Sequence, residues 1–109
     1  MATTYKVLGQ NQPSANTDVT LYTVPSSTST IVSTINVCNL GSASDNFRIA
    51  IRPAGAVLAN VHYVAYNTVV PAYDSIALTI GITLATTDVI TVRSTNGNVV
   101  FNAFGSELT

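Results

Sequence analysis

The amino-acid sequence predicts an all-β protein, a single antiparallel β-sandwich or jelly-roll-like domain of about eight strands. Three observations carry this. No segment keeps apolar residues at i, i+3, i+4 and i+7 for long, while β-branched residues are abundant. The β-rich runs are short and are divided by turn signals at intervals of about ten residues, the spacing of sandwiches and barrels. One run alternates cleanly. Phe47, Ile49 and Ile51 fall on one side and Asn46, Arg48, Ala50 and Arg52 on the other, as in a strand with one buried face.

The first run, Tyr5-Lys6-Val7-Leu8, is expected to stop at Gly9. Gln10 to Asp18, polar and containing Pro13, then reads as a loop or arm. Val19 to Val24 forms the second strand. Pro25 closes it, because proline cannot donate to a ladder. Thr30 to Cys38 is long enough to cross a whole sheet, and Asn39 to Asp45 forms the next loop. After the alternating run, Pro53-Ala54-Gly55 stops the strand, and Ala56 to Asn60 is the one candidate helical turn. His62 to Val70, Ser75 to Ile80, Val89 to Ser94 and Asn98 to Phe104 complete the set. Asn96-Gly97 predicts a type I′ hairpin between the last two, since both central residues of that turn need positive φ. The division expected is 1–18 as an N-terminal strand plus loop or arm and 19–109 as the sandwich core, within one domain.

The surface chemistry is unusual. Charged residues make up 8% of the 109, against about 25% in an average soluble domain. Thr, Ser and Asn together supply 36 positions. Disorder combines low hydrophobicity with high charge, and here the hydrophobic fraction is 47%. A surface of hydroxyls and amides is cheaper to desolvate against a partner than a charged one, provided hydrogen bonds form there. Four positive residues, Lys6, Arg48, Arg52 and Arg93, are too few and too scattered along the chain for phosphate-backbone recognition. The sequence therefore argues against a nucleic-acid partner. No apolar stretch reaches membrane-span length and no signal-peptide pattern precedes Lys6, so no membrane partner is expected.

The residues for site chemistry are sparse. His62 and Cys38 are the only histidine and cysteine, short of the four ligands of a structural zinc site, and no disulfide can form within the chain. Asp18, Asp45, Asp74 and Asp88 have no EF-hand spacing. Asp74 and Asp88 read as turn-forming residues that bond their own backbone. No Gly-x-Ser-x-Gly elbow or phosphate-binding loop is present. Cys38, in the apolar run Ile35-Asn36-Val37-Cys38, reads as a small buried hydrophobe. The expectation is a protein with no catalytic, cofactor-binding or metal-binding residues, and not an enzyme.

Interaction is signalled instead. In the last strand Val99 and Phe101 lie on one face and Val100 and Phe104 on the other. In a two-sheet sandwich without helices the second face has no cover from its own chain. Thr30-Ile31-Val32 and Val69-Val70 raise the same problem. The tyrosines Tyr22, Tyr63, Tyr66 and Tyr73 suit an interface or a platform for sugar rings, with Tyr63 and Tyr66 expected on opposite faces of one strand. The candidate interface residues are Val100, Phe104, Tyr63, Tyr66 and Tyr73.

The runs Leu21-Tyr22-Thr23-Val24-Pro25, Thr30 to Asn39 and Phe47 to Pro53 together resemble a small β-sandwich module of tailed-bacteriophage virion proteins, of the cyanophage or marine-phage type. Leu58-Ala59-Asn60, Tyr63 to Tyr66, Ile80 to Leu84 and Ala103 to Glu107 extend the likeness to most of the chain. The resemblance implies a virion structural protein assembled in the host cytoplasm. Its first expected role is a capsid decoration or cement protein that bridges major capsid subunits, self-associating as a homo-oligomer with a trimer favoured. A tail, baseplate or fibre-attachment adaptor and a host-surface carbohydrate-binding module are the alternatives. These are fold motifs, and no binding site carries over with them.

Overall fold

The computed structural model describes residues 2–109. Their strands are β1 (Thr3–Asn11), β2 (Val19–Thr23), β3 (Ser29–Asn39), β4 (Asp45–Arg52), β5 (Tyr63–Val70), β6 (Ser75–Leu78), β7 (Ile82–Leu84), β8 (Val89–Ser94) and β9 (Val99–Leu108). Sheet A runs β1-β9-β3-β6, with β7 also on β3, and sheet B runs β2-β8-β4-β5. All these pairings are antiparallel. The chain changes sheet at every connection except β4–β5 and β6–β7, which is the double Greek-key path of a jelly roll. The expected all-β sandwich is therefore the fold. The additional strand is β7, which lies beyond the sixth predicted run, on the far side of Gly81 at φ 68°. β6 pairs with Ile35 to Cys38 and β7 with Thr30 to Val32, so the two lie end to end along β3.

The core fills the space between the sheets. Phe47 of β4 meets Phe101 of β9 edge to face, with ring centres 6.0 Å apart and planes at 73°. Ile35, Val37, Ile49, Val70, Ile90, Val92 and Val99 pack around them, each fully buried. Each such side chain contributes roughly 1.5–3 kcal/mol of burial.

Two buried polar residues stitch one end of the sandwich. The Asn39 amide donates to the carbonyls of Ala43, Val70 and Pro71. The buried Asp45 carboxylate accepts from the Ser94 hydroxyl and from the backbone N–H groups of Asn46 and Asn96. This arrangement overturns the predicted hairpin at Asn96-Gly97. β8 belongs to sheet B and β9 to sheet A, so the segment between them is a corner joining the sheets. Gly97 has positive φ, as the turn signal requires, and its N–H donates to the Ser94 hydroxyl. Asn96, the other central residue of a type I′ turn, does not share that conformation, and contacts from a residue far away in sequence decide where the strands go.

Other expectations are corrected. Gly9 and Gly105 lie within strands, not at their ends. A Cβ on Gly9 would stand 2.1 Å from the Leu21 carbonyl oxygen, and one on Gly105 2.0 Å from that of Ile31. Both positions lack a side chain because another backbone passes close by. Of the predicted helical turn Ala56 to Asn60, Ala56 to Ala59 is not helical and only Asn60 enters a 3₁₀ turn. Short 3₁₀ turns occur on either side of Ala56 to Ala59, at Pro53–Gly55 and Asn60–His62. Asp88 and Asp74 act as turn residues: Asp88 accepts from the N–H groups of Ala85 and Ala54, and Asp74 from that of Ser75.

Candidate functional site

Strand register determines what each outer face displays. On sheet A, Tyr5, Ser106, Ile31 and Thr83 form one row, and Val7, Phe104 and Thr34 the next. Gln10, Asn102, Asn36 and Ala77 form a third, and Val100, Cys38 and Ser75 a fourth. Both neighbours of β9 carry one extra residue near Phe104: Leu8 in β1 and Ser33 in β3. Such bulges re-aim side chains. Here they keep Val7 and Phe104 on the outside while Leu8 and Ile35 turn to the core.

The result is an uncovered apolar stripe. Tyr5 is 83% exposed, Val7 47%, Ile31 45% and Phe104 39%. None of the residues in the four rows is charged. A groove of about 440 Å³ opens beside the stripe, lined in part by Ile31, Thr83, Leu84 and Leu108. The stripe starts on β1, an edge strand that among the described residues pairs only with β9, and such an edge can accept another strand. Cys38 is half-buried in the fourth row beside Val100, rather than in the core.

The outer face of sheet B has a different character. Arg48 and Arg93 stand directly opposite each other. Arg52 lies on the same side by alternation and donates to the Thr91 hydroxyl and the carbonyls of Gly55 and Ala56. Three of the four positive side chains in the sequence thus share one sheet face. Among the described residues the carboxylate paired with them is Asp18, 3.6 Å from Arg93.

β5 carries two bulges. Ala50 pairs with Tyr63 and Ile49 with Ala65, which leaves Val64 extra; Phe47 pairs with Thr68, so Tyr66 and Asn67 together oppose Arg48. Asn67 takes φ 49°, a left-handed conformation that asparagine tolerates better than most residues. Because the extra residue at Val64 inverts the alternation, Tyr63 and Tyr66 share a face, contrary to the expectation from spacing. Their rings meet edge to face at 4.8 Å. The Arg48 guanidinium lies 4.2 Å from the centre of the Tyr66 ring, and its Nε donates to Asn67 Oδ1 at 2.8 Å. Tyr63, Tyr66 and Asn60 line an open depression of about 340 Å³.

The candidate interface residues therefore do not form one surface. Val100 and Phe104 lie on sheet A and Tyr63 and Tyr66 on sheet B. Tyr73 sits in the β5–β6 turn at the end of the sandwich, with its N–H donating to the Gly41 carbonyl. Sequence reasoning missed Tyr5, Val7 and Ile31 as partners of Phe104, and Arg48 and Asn60 as partners of the tyrosines. Only pairing register reveals the former, and only the bulges in β5 reveal Arg48 as the neighbour of Tyr66.

Tyr22, grouped above with the platform tyrosines, is buried. Its hydroxyl donates to Glu107 Oε2 at 2.5 Å and accepts from the Thr30 hydroxyl at 2.8 Å. Burial, reinforced by the Glu107 carboxylate, pushes the phenol up to about 12. The same hydrogen bond, helped by Lys6 at 3.3 Å, holds Glu107 below its ordinary value against the opposing effect of burial. Among the described residues no three His, Cys, Asp or Glu side chains gather in a metal-holding cluster. His62 Nδ1 accepts from the Ala59 N–H.

No protein-family model matches the chain, and no curated protein matches it significantly.

Proposed function

We propose that this chain is a non-enzymatic virion structural protein of a tailed phage, a capsid decoration or cement subunit that docks on major capsid subunits through the outer face of sheet A. The observation that carries the reading is the uncharged apolar stripe Tyr5-Val7-Phe104-Ile31, which no part of the described chain covers. Depletion of charge with enrichment of aromatics marks the centre of an interface. A stable contact takes about 800 Å² per partner, roughly one-seventh of the 5460 Å² this chain exposes. The groove beside Ile31 offers a recess for a partner's side chain, and the β1 edge offers free backbone groups for self-association as a homo-oligomer, a trimer foremost. The jelly-roll architecture is used by viral capsid proteins and by lectins; it agrees with the reading without establishing it.

Phe104→Lys tests the proposal. The variant is expected to remain a folded protein by circular dichroism and to lose co-sedimentation with capsids that lack the wild-type protein. Wild-type chain that fails to bind capsids, or a folded variant that binds as well as wild type, contradicts it. Copy number separates a decoration subunit, present many times per particle, from a tail adaptor present in few copies.

A further inference from the structure

The second face has a chemistry that assembly through sheet A does not use. We infer that the depression formed by Tyr63, Tyr66 and Asn60, with Arg48 against its wall, binds an acidic pyranose, a sugar ring carrying a carboxylate. The inference is independent of the docking reading and draws on a different sheet.

Four observations converge. First, the depression is walled by two phenol rings that meet edge to face, an aromatic corner on which the C–H face of a sugar ring can stack. Second, Asn60 contributes a carboxamide, and the Tyr63 and Tyr66 hydroxyls add groups that donate and accept, the equipment for reading sugar hydroxyls. Third, Arg48 lies on the Tyr66 ring beside the depression, outside its three lining residues, and lacks a carboxylate partner among the described residues. Stacking on Tyr66 and the bond from Nε to Asn67 orient the guanidinium and leave its terminal nitrogens available. A planar guanidinium so held matches a carboxylate in a two-point contact. Fourth, Arg48 stands directly across from Arg93. Like charges opposite each other on paired strands are destabilising, so stability alone does not account for a second arginine there. Arg93 has Asp18 to offset it; Arg48 has an incoming anion.

Size favours a sugar over an acidic peptide. The space is about 340 Å³ and open, near the lower end of the roughly 300–1,000 Å³ of small-ligand sites. It suits one or two rings and offers no extended groove.

The test is titration of the full chain, followed by backbone amide NMR, with a glucuronic-acid oligosaccharide, the glucose oligosaccharide of the same linkage, and a poly-glutamate peptide. Binding of the acidic sugar, with shifts centred on 60–67 and 48, is expected. Arg48→Gln should weaken it about tenfold, the scale of one charge-assisted contact. Tyr66→Ala should weaken it at least as much, and Tyr73→Ala, at the end of the sandwich, should leave it unchanged. Tyr66→Ala should also still bind capsids, which separates this site from the sheet A surface. Equal binding of the glucose oligosaccharide, equal or tighter binding of poly-glutamate, an Arg48→Gln variant at wild-type affinity, or no binding of the acidic sugar overturns the inference.

Discussion

Phe101 and Phe104 stand three residues apart in β9 and face opposite sides of sheet A. Phe101 is 0% exposed and meets Phe47 edge to face, whereas Phe104 keeps 39% of its surface in water. Truncating the first opens a cavity between the sheets. Phe101→Ala should cost about 3–5 kcal/mol, including about 0.5–1.5 kcal/mol for the lost aromatic pair. A domain of this length has about 5–15 kcal/mol in total, so the variant should lose a large share of its stability. Phe104→Lys forfeits at most two-thirds of a roughly 1.5–3 kcal/mol burial term, and the lysine stem can cover part of the same surface. The net loss should be about 1 kcal/mol on that reckoning. With a urea m-value of about 2 kcal/mol/M, the denaturation midpoint should fall by about 1.5–2.5 M for Phe101→Ala and about 0.5 M for Phe104→Lys. Equal shifts, or a fall above about 1.5 M for Phe104→Lys, would show that Phe104 belongs to the core and would remove the basis for an exposed docking face.

Three further outcomes follow from the geometry. Gly105→Ala should destabilise the isolated domain by about 1–3 kcal/mol or more, because its Cβ would collide with the Ile31 carbonyl oxygen; a thermal midpoint equal to wild type would contradict that close approach. Asp45→Ala should cost about 3 kcal/mol by leaving the N–H groups of Asn46 and Asn96 without their acceptor, and hydrogen exchange should rise in the 94–98 corner before it rises in β4; uniform loss of protection would point to a role outside that corner. The Tyr22–Glu107 pair should make stability pH-dependent on both flanks. Glu107 is lowered in the folded state, so its contribution is present above its unfolded pKa and is lost as pH falls through the folded value. Tyr22 is raised from 10.0 to about 12, so its contribution is present below pH 10 and is lost as pH rises toward about 12. Tyr22→Phe should flatten the alkaline arm of a urea-midpoint-against-pH curve, and an unchanged arm would refute the assignment.

What the sequence makes legible is what short-range chemistry decides. Alternation at Phe47, Ile49 and Ile51 located β4, and turn residues about ten positions apart marked out most of the sandwich. The two-faced apolar character of β9 was also visible, because a period of two needs no partner to be read. Pairing register was not legible. Tyr5, Val7 and Ile31 join Phe104 only because β1 and β3 flank β9 and each adds a residue beside it. An extra residue in β5 moved Tyr63 and Tyr66 to one face, where regular alternation separates them. The Asn96-Gly97 signal misled for a related reason: Asp45, distant in sequence, anchors the corner that carries the chain from sheet B to sheet A. Arg48 and Arg93 looked dispersed along the chain and are neighbours across two strands.

Burial of the outer face of sheet A in an assembly, as proposed, has a native probe. Cys38 is the only cysteine in the chain and lies on that face beside Val100. The measurement is maleimide labelling of Cys38 in the free protein and in purified virions, with Asn67→Cys in a Cys38→Ser background reporting on the opposite sheet. Cys38 should label in the free protein and be protected in the particle, while the thiol introduced by Asn67→Cys should label in both. A Cys38 that labels as fast in the particle as in solution would contradict that burial.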